Sequence, residues 1–196
     1  MKFTDYIKAG MQIAFCLMAN IVLILLGLIV VAIALPFKVV ERSVSDGRVI
    51  FNLRTWAWLW GNDFDGALGD KRGWWAAHTP FGLPVDHFMS MYWWLAIRNP
   101  ANNKRRVSLF SAPIVGSAIT YIGNYNVADR PGEAGWQFVK LVDRKGRCYY
   151  GFYLVLQYSN TRAFVIRLGF KIKPDHQGTA ELAKGMTVRV NPWKSI

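Results

Sequence analysis

Residues 13–35, IAFCLMANIVLILLGLIVVAIAL, constrain this chain more than any other feature of its sequence. The run carries no charge, and Asn20 is its one strongly polar side chain. With about 1.5 Å of rise per helical residue it reaches roughly 34 Å, which is enough to cross a hydrocarbon core about 30 Å thick. The sequence therefore predicts a transmembrane helix that ends near the water interface at Pro36.

Two other structures compete for the same run. A cleaved signal peptide is suggested by the small residues at 32–34, AIA, but the apolar region of a signal peptide usually has only about 7–15 residues. A buried helix of a soluble core is disfavoured because a helix that is apolar on every face needs protein all round it, and the rest of the chain is small. We therefore expect a helix in the membrane.

The charges that flank this run predict its orientation. Two basic residues, Lys2 and Lys8, precede it, whereas four follow closely: Lys38, Arg42, Arg48 and Arg54. Because the more basic flank prefers the cytoplasm, residues 37–196 are expected on that side. The whole chain has 24 Lys and Arg against 12 Asp and Glu, so its positive surface should attract anionic lipid headgroups or other phosphates.

The rest of the chain reads as one mostly-β domain. We expect a short tail at 1–12, the transmembrane helix at 13–36, and a basic β-rich domain at 37–196 with an irregular, Trp-rich segment at 56–106. β-branched and aromatic alternation predicts an antiparallel meander and one earlier strand near 49–53 that follows a turn at 45–47. The meander strands are predicted within 111–123, at 135–142, 148–158 and 163–172, and at the returning 185–193. One short amphipathic helix fits 85–100, with Asp86 as its N-cap.

An acidic loop is the one candidate metal site. Its oxygen ligands surround Gly66 and Gly69, a spacing that a loose Ca²⁺ or Mg²⁺ loop could use, although the positions do not fit an EF-hand. The candidate ligands are Asn62, Asp63, Asp65 and Asp70. The same residues could instead make Asx-turns and pair with nearby bases. The histidines and cysteines lack zinc-site spacing, and no catalytic triad signature is present.

Two further sets of residues point to surfaces. Phosphate contacts, in lipid headgroups or nucleic acid, are predicted for Lys38, Arg42, Arg48, Arg98, Lys104, Arg105 and Arg106. Membrane-interface positions are predicted for Trp56, Trp58, Trp60, Trp93 and Trp94, with core packing as the alternative. Nucleic-acid binding is less favoured because no motif of a known nucleic-acid fold accompanies these residues.

The combination of a W-x-W pair near GNDFDG at 61–66, RNPANN at 98–103, RLGFKIKP at 167–174 and NPW at 191–193 resembles a family of small uncharacterised proteins of tailed bacteriophages. The resemblance spans about two thirds of the chain. It implies a phage origin and a bacterial host, and it supplies no catalytic residue.

These features favour a single-pass, membrane-anchored phage protein that is not an enzyme. Its basic domain would bind anionic lipid or a phage or host protein at the inner membrane of the host. One alternative is a minor virion or genome-entry component that contacts DNA. Another is a metal-dependent hydrolase or transferase that uses Asp63 and Asp65.

Overall fold

The structure, a computed structural model, describes residues 1–42, 49–61, 75–172 and 185–196. The chain divides into two compact units. The first, the sheet unit, contains Met1–Ala19 and Arg105–Ile196, and the second, the Trp-rich unit, contains Asn20–Lys104. The acidic loop and the turn predicted at 45–47 lie outside the described residues.

The apolar run belongs to a longer helix, α1, Phe3–Ala34. It begins ten residues before the run because its first turn is capped: the Asp5 carboxylate accepts a hydrogen bond from the Lys2 amide at 2.9 Å. A carboxylate in the first turn also complements the helix dipole. The helix gives way to a short 3₁₀ turn, Leu35–Phe37, at Pro36, whose ring cannot continue an α-helix.

The sheet unit contains a five-stranded antiparallel sheet in sequence order, which confirms the predicted meander. Short polar turns join three consecutive strands of the sheet, Gly135–Val142, Cys148–Ser159 and Arg162–Phe170, as at Gly146, whose φ of 75° suits glycine. On the buried face Val155 and Val165 pack together with Val127 and Tyr153. The strands are β3 (Ala118–Gly123), β4 (Gly135–Val142), β5 (Cys148–Ser159), β6 (Arg162–Phe170) and β7 (Met186–Ser195). Two earlier strands, β1 (Val39–Arg42) and β2 (Val49–Asn52), belong to the Trp-rich unit.

The Trp-rich unit has less regular structure. Strands β1 (Val39–Arg42) and β2 (Val49–Asn52) form an antiparallel pair, and Thr55–Trp60 is a 3₁₀ helix. The predicted amphipathic helix is present as α2, Phe88–Trp93, which continues as a π-helical turn, Trp94–Arg98. Its N-cap is His87 rather than Asp86, because the His87 ring nitrogen Nδ1 accepts from the Met89 amide at 3.2 Å.

Candidate membrane-contact site

One stripe of α1 is turned toward protein. Its members recur every three or four residues, the spacing of one helix face, and most of them are small or polar. The stripe consists of the buried residues Asp5, Ala9, Cys16, Leu23, Gly27, Val31 and Ala34, with the half-buried Gln12, Ala19 and Asn20 between them. The aliphatic residues Ile13, Ile24, Leu28 and Val30 are half-buried as well.

The remaining surface of α1, its outward face, is exposed and, apart from Thr4 and Lys8 near its start, apolar. Phe3 is 78 % exposed, Met11 69 % and Ile29 63 %. The other large exposed side chains of the face are Tyr6, Ile7, Phe15, Leu17, Met18, Ile21, Val22, Leu25, Leu26 and Ile33. This is the reverse of a soluble helix, in which large apolar residues face the core and polar ones face water.

An ion pair fixes the first turns of α1 within the sheet unit. Lys140 Nζ lies 2.6 Å from Asp5 Oδ1, and the Tyr150 hydroxyl donates to the same oxygen at 2.9 Å. The Asp5 side chain is 7 % exposed, so its charge depends on these partners. Ala9 packs beside Tyr150, and the Tyr6 ring stacks on Phe138 at 5.3 Å between centroids.

The side-chain amide of Gln12 forms two hydrogen bonds with the backbone of the first residues of β5, as the backbone of a neighbouring strand would. Its amide nitrogen donates to the Cys148 carbonyl at 3.0 Å, and its amide oxygen accepts from the Tyr150 amide at 2.8 Å. The pairing of β5 with β6 begins only at Gly151, so Gln12 satisfies backbone groups that β6 does not reach.

Within the Trp-rich unit, two aromatic side chains bind the second half of α1. Trp60 Nε1 donates to the Leu23 carbonyl at 3.1 Å, and the Tyr92 hydroxyl donates to the Leu28 carbonyl at 3.0 Å. Gly27 permits this contact, because a Cβ there would lie 2.6 Å from Trp60 Nε1. Asn20, the polar residue of the apolar run, accepts a short hydrogen bond from Lys104 Nζ.

The predicted phosphate-binding residues are spread over several elements. Lys38 Nζ lies 5.5 Å from the centroid of the Phe51 ring, and the exposed Arg98 lies 5.9 Å from that of Trp94. Lys104, Arg105 and Arg106 share the 3₁₀ helix Asn102–Arg106. Arg48 and the side chain of Arg42 lie outside the described residues.

The five predicted interface tryptophans divide into two groups. Trp56, Trp58 and Trp93 are 57 %, 44 % and 43 % exposed. Trp60 and Trp94 are instead buried, because Trp60 is hydrogen-bonded to α1 and Trp94 packs on Trp75 with ring centroids 5.0 Å apart. Only the exposed group is able to contact a membrane.

The four predicted metal ligands, Asn62, Asp63, Asp65 and Asp70, lie in the segment 62–74, outside the described residues. Among the residues that the structure does describe, no group of three or more His, Cys, Asp and Glu side chains could hold a metal ion.

Sequence reasoning missed a polar cluster on the sheet. Asp129 Oδ1 accepts from the Tyr153 hydroxyl at 3.0 Å and from Arg167 at 3.1 Å, and Lys194 Nζ lies 3.9 Å from the other oxygen. Burial alone would raise the pKa of Asp129, but the Arg167 charge and the Tyr153 hydrogen bond outweigh it and hold that pKa below its usual value. The Asp129 carboxylate is thus held by three partners, which suits a structural role.

The sequence did contain a signal for the inward stripe. Asp5, Gln12 and Asn20 recur every seven or eight residues, which places three polar side chains on one face of a helix. Two of the three precede the uncharged run, so a search confined to that run does not find the pattern.

Fold and site together define a small protein in which an antiparallel meander is combined with one long, apolar N-terminal helix. The chain belongs to a family described as "Family of unknown function (DUF7338)", whose model matches residues 5–196. The matched range includes nearly all of α1. No curated protein and no solved structure matches the chain.

Proposed function

We propose that this protein is a non-enzymatic membrane anchor module. In this proposal the outward face of α1 is immersed in lipid, and the basic remainder of the chain binds anionic headgroups or a protein partner. The resemblance to tailed-phage proteins supports the inner membrane of a bacterial host as the location, and the positive charge supports its cytoplasmic side.

The distribution of side chains around α1 carries this proposal. Most large apolar residues of α1 are exposed, and most of its buried residues are small or polar, as Gly27, Ala9 and Asp5 are. Helices in membranes pack in this way, because small residues allow close approach and polar residues need protein partners. Only 22 % of the most apolar 18 residues is buried inside the protein, whereas a soluble core helix is mostly buried.

The contacts of α1 also argue against a removable signal peptide. Cleavage after the helix would leave Lys140 and Tyr150 without Asp5, and it would expose the Cys148 and Tyr150 backbone groups that Gln12 satisfies. Loss of buried polar partners destabilises a fold.

The net charge supports attraction to an anionic surface. In the described part of the sheet unit, each of the carboxylates Asp5, Asp129, Glu133 and Asp143 is already paired with a Lys or Arg side chain. Since the chain has twice as many bases as acids, positive charge remains in excess after this pairing.

Membrane fractionation of the full chain, expressed in a bacterium, tests the proposal. We expect it in the membrane pellet, resistant to high salt and released by detergent. The test variant Leu25→Gln/Ile29→Gln changes two outward residues that are 57 % and 63 % exposed. The matched control Leu156→Gln/Val190→Gln makes the same kind of change on the sheet, at residues 52 % and 58 % exposed.

Polar residues on the outward face cost free energy only if that face contacts lipid. The helix variant should therefore move toward the soluble fraction with its circular dichroism unchanged, while the sheet variant stays in the pellet. Wild-type protein that dissolves freely without detergent would refute the proposal.

A further inference from the structure

We infer that α1 lies along one leaflet, in the plane of the membrane, and does not cross the bilayer. The inference rests on the proposed function and adds to it an orientation and a ligand: the boundary between headgroups and acyl chains of a single leaflet. Helices of this kind immerse one face and keep the other toward water or protein.

Contacts of the first turn of α1 within the sheet unit support an in-plane helix. Strands β4 and β5 follow α1 in the chain, yet Lys140 of β4 and Tyr150 of β5 bind Asp5, in the first turn of α1. A helix that crosses a bilayer once separates its own first turn from everything that follows it.

Contact between Asp5 and these strands would then require the chain to cross back. Among the residues that the structure describes, α1 with its short 3₁₀ extension is the one helix long and apolar enough to cross a membrane. An in-plane helix needs no return crossing, because both of its ends lie on the same side.

A contact of a charged side chain with α1 within the Trp-rich unit also supports an in-plane helix. The Lys104 ammonium group binds Asn20, which lies seven residues inside the apolar run. A charge beside this part of a crossing helix would be drawn into hydrocarbon, which is strongly disfavoured. Beside an in-plane helix the same ammonium group remains at the level of the headgroup phosphates.

The backbone around the middle of α1 leads to the same conclusion. Trp60, which binds the Leu23 carbonyl, ends a 3₁₀ helix in which Trp56 and Trp58 are exposed. Tyr92, which binds the Leu28 carbonyl, lies in α2, two residues before the π-helical turn. Irregular backbone at mid-membrane depth is tolerated only where protein or a water-filled cavity surrounds it. At the interface, water and headgroups satisfy such backbone.

The sidedness of the two ends of α1 tests this inference. In the full chain with Cys16→Ala and Cys148→Ser, single cysteines are introduced as Thr4→Cys before the apolar run, Phe37→Cys after it, and Lys145→Cys in the turn between β4 and β5. A membrane-impermeant maleimide is then applied to sealed spheroplasts and to inverted inner-membrane vesicles.

We expect all three cysteines to react in inverted vesicles and to be protected in spheroplasts. Reaction of Thr4→Cys and Phe37→Cys from opposite sides would show a crossing helix and overturn the inference, while the proposed membrane anchoring would stand. Recovery of the protein in the soluble fraction would overturn the proposed function and the inference together.

Discussion

At the scale of single residues, Gly27 allows the Trp60 ring to approach the backbone of α1 closely. A Cβ at this position would lie 2.6 Å from Trp60 Nε1 and 3.4 Å from the Ala96 carbonyl oxygen. We predict that Gly27→Ala lowers the free energy of unfolding by about 1–3 kcal/mol, the usual cost of overpacking. Thermal and chemical unfolding in detergent micelles would measure this change.

Gly10 provides the matched control on the same helix. A Cβ there would have no neighbour within 4 Å, so Gly10→Ala should be neutral or stabilise the protein, by up to about 1 kcal/mol from helix propensity. Equal effects of the two substitutions would contradict the close packing at Gly27.

Asp129 and Asp143 lead to a prediction about pH. Burial opposes ionisation at both carboxylates, but at Asp129 the Arg167 charge, and at Asp143 the hydrogen bonds from Arg147, prevail and hold each pKa below its usual value. A depressed folded-state pKa means that the unfolded chain binds more protons as the pH falls. The stability that these groups supply is therefore complete above about pH 5 and is lost progressively at lower pH.

Unfolding measured between pH 7 and pH 2.5 would test this prediction. Asp129→Asn should reduce the loss of stability on acidification. Glu133, whose side chain is 37 % exposed, provides a surface control, and Glu133→Gln should lose nearly as much stability on acidification as the wild type. If Asp129→Asn left the acid dependence unchanged, the network around Asp129 would not hold its charge in the way described.

At the scale of elements, the ion pair of Asp5 fixes the start of α1 to the sheet. We predict that Lys140→Met increases hydrogen exchange at residues 3–12, because it leaves the Asp5 charge in a buried site without its cationic partner. Exchange followed by mass spectrometry, at equal detergent concentration, would measure this effect.

Two further variants separate this effect from a general loss of charge. Asp5→Asn/Lys140→Met should exchange less than Lys140→Met alone, since no unpaired charge remains, and Lys145→Met in the neighbouring turn should behave like wild type. If the double variant were as labile as Lys140→Met, loss of the lysine's packing rather than an unpaired Asp5 charge would explain the change.

The elements that sequence reasoning predicted are those whose signal is local. Alternating β-branched and aromatic residues gave β4 its observed bounds, Gly135–Val142, and placed the ends of β5 and β6 within two residues of their positions. The start of α1 was missed, because a capped polar turn has no hydrophobic signal. His87 replaced Asp86 as the N-cap through side-chain geometry that composition does not encode.

The candidate site was predictable only in part, for a similar reason. The apolar run predicts a helix suited to lipid, but the sequence does not indicate which side chains contact that helix. Tryptophan suits both an interface and a core, so Trp56 and Trp60, four residues apart, could not be distinguished as exposed and buried. Which side chains contact each other depends on the tertiary structure, so these contacts could not be predicted from the sequence.

At the scale of the whole molecule, net charge and the apolar face should contribute separately to membrane binding. In flotation of the full chain with vesicles, we predict binding to zwitterionic lipid that does not depend on salt, and additional binding to anionic lipid. The additional binding to anionic lipid should decrease as the salt concentration rises, since the Debye screening length falls from about 10 Å at 0.1 M to about 3 Å at 1 M. Equal binding to both lipids at low salt would contradict a role for the excess positive charge.

The most direct test of the central claim is the environment of Ile29, on the outward face of α1. A spin label at Ile29→Cys, in full-length protein with Cys16→Ala and Cys148→Ser and reconstituted in vesicles, reports collisions with oxygen and with a water-soluble nickel chelate. Lipid contact predicts frequent collisions with oxygen and rare collisions with nickel, while a label at Lys145→Cys reports water. Frequent collisions with nickel at Ile29, or rare collisions with both reagents, would show that water or protein covers this face and would contradict the account.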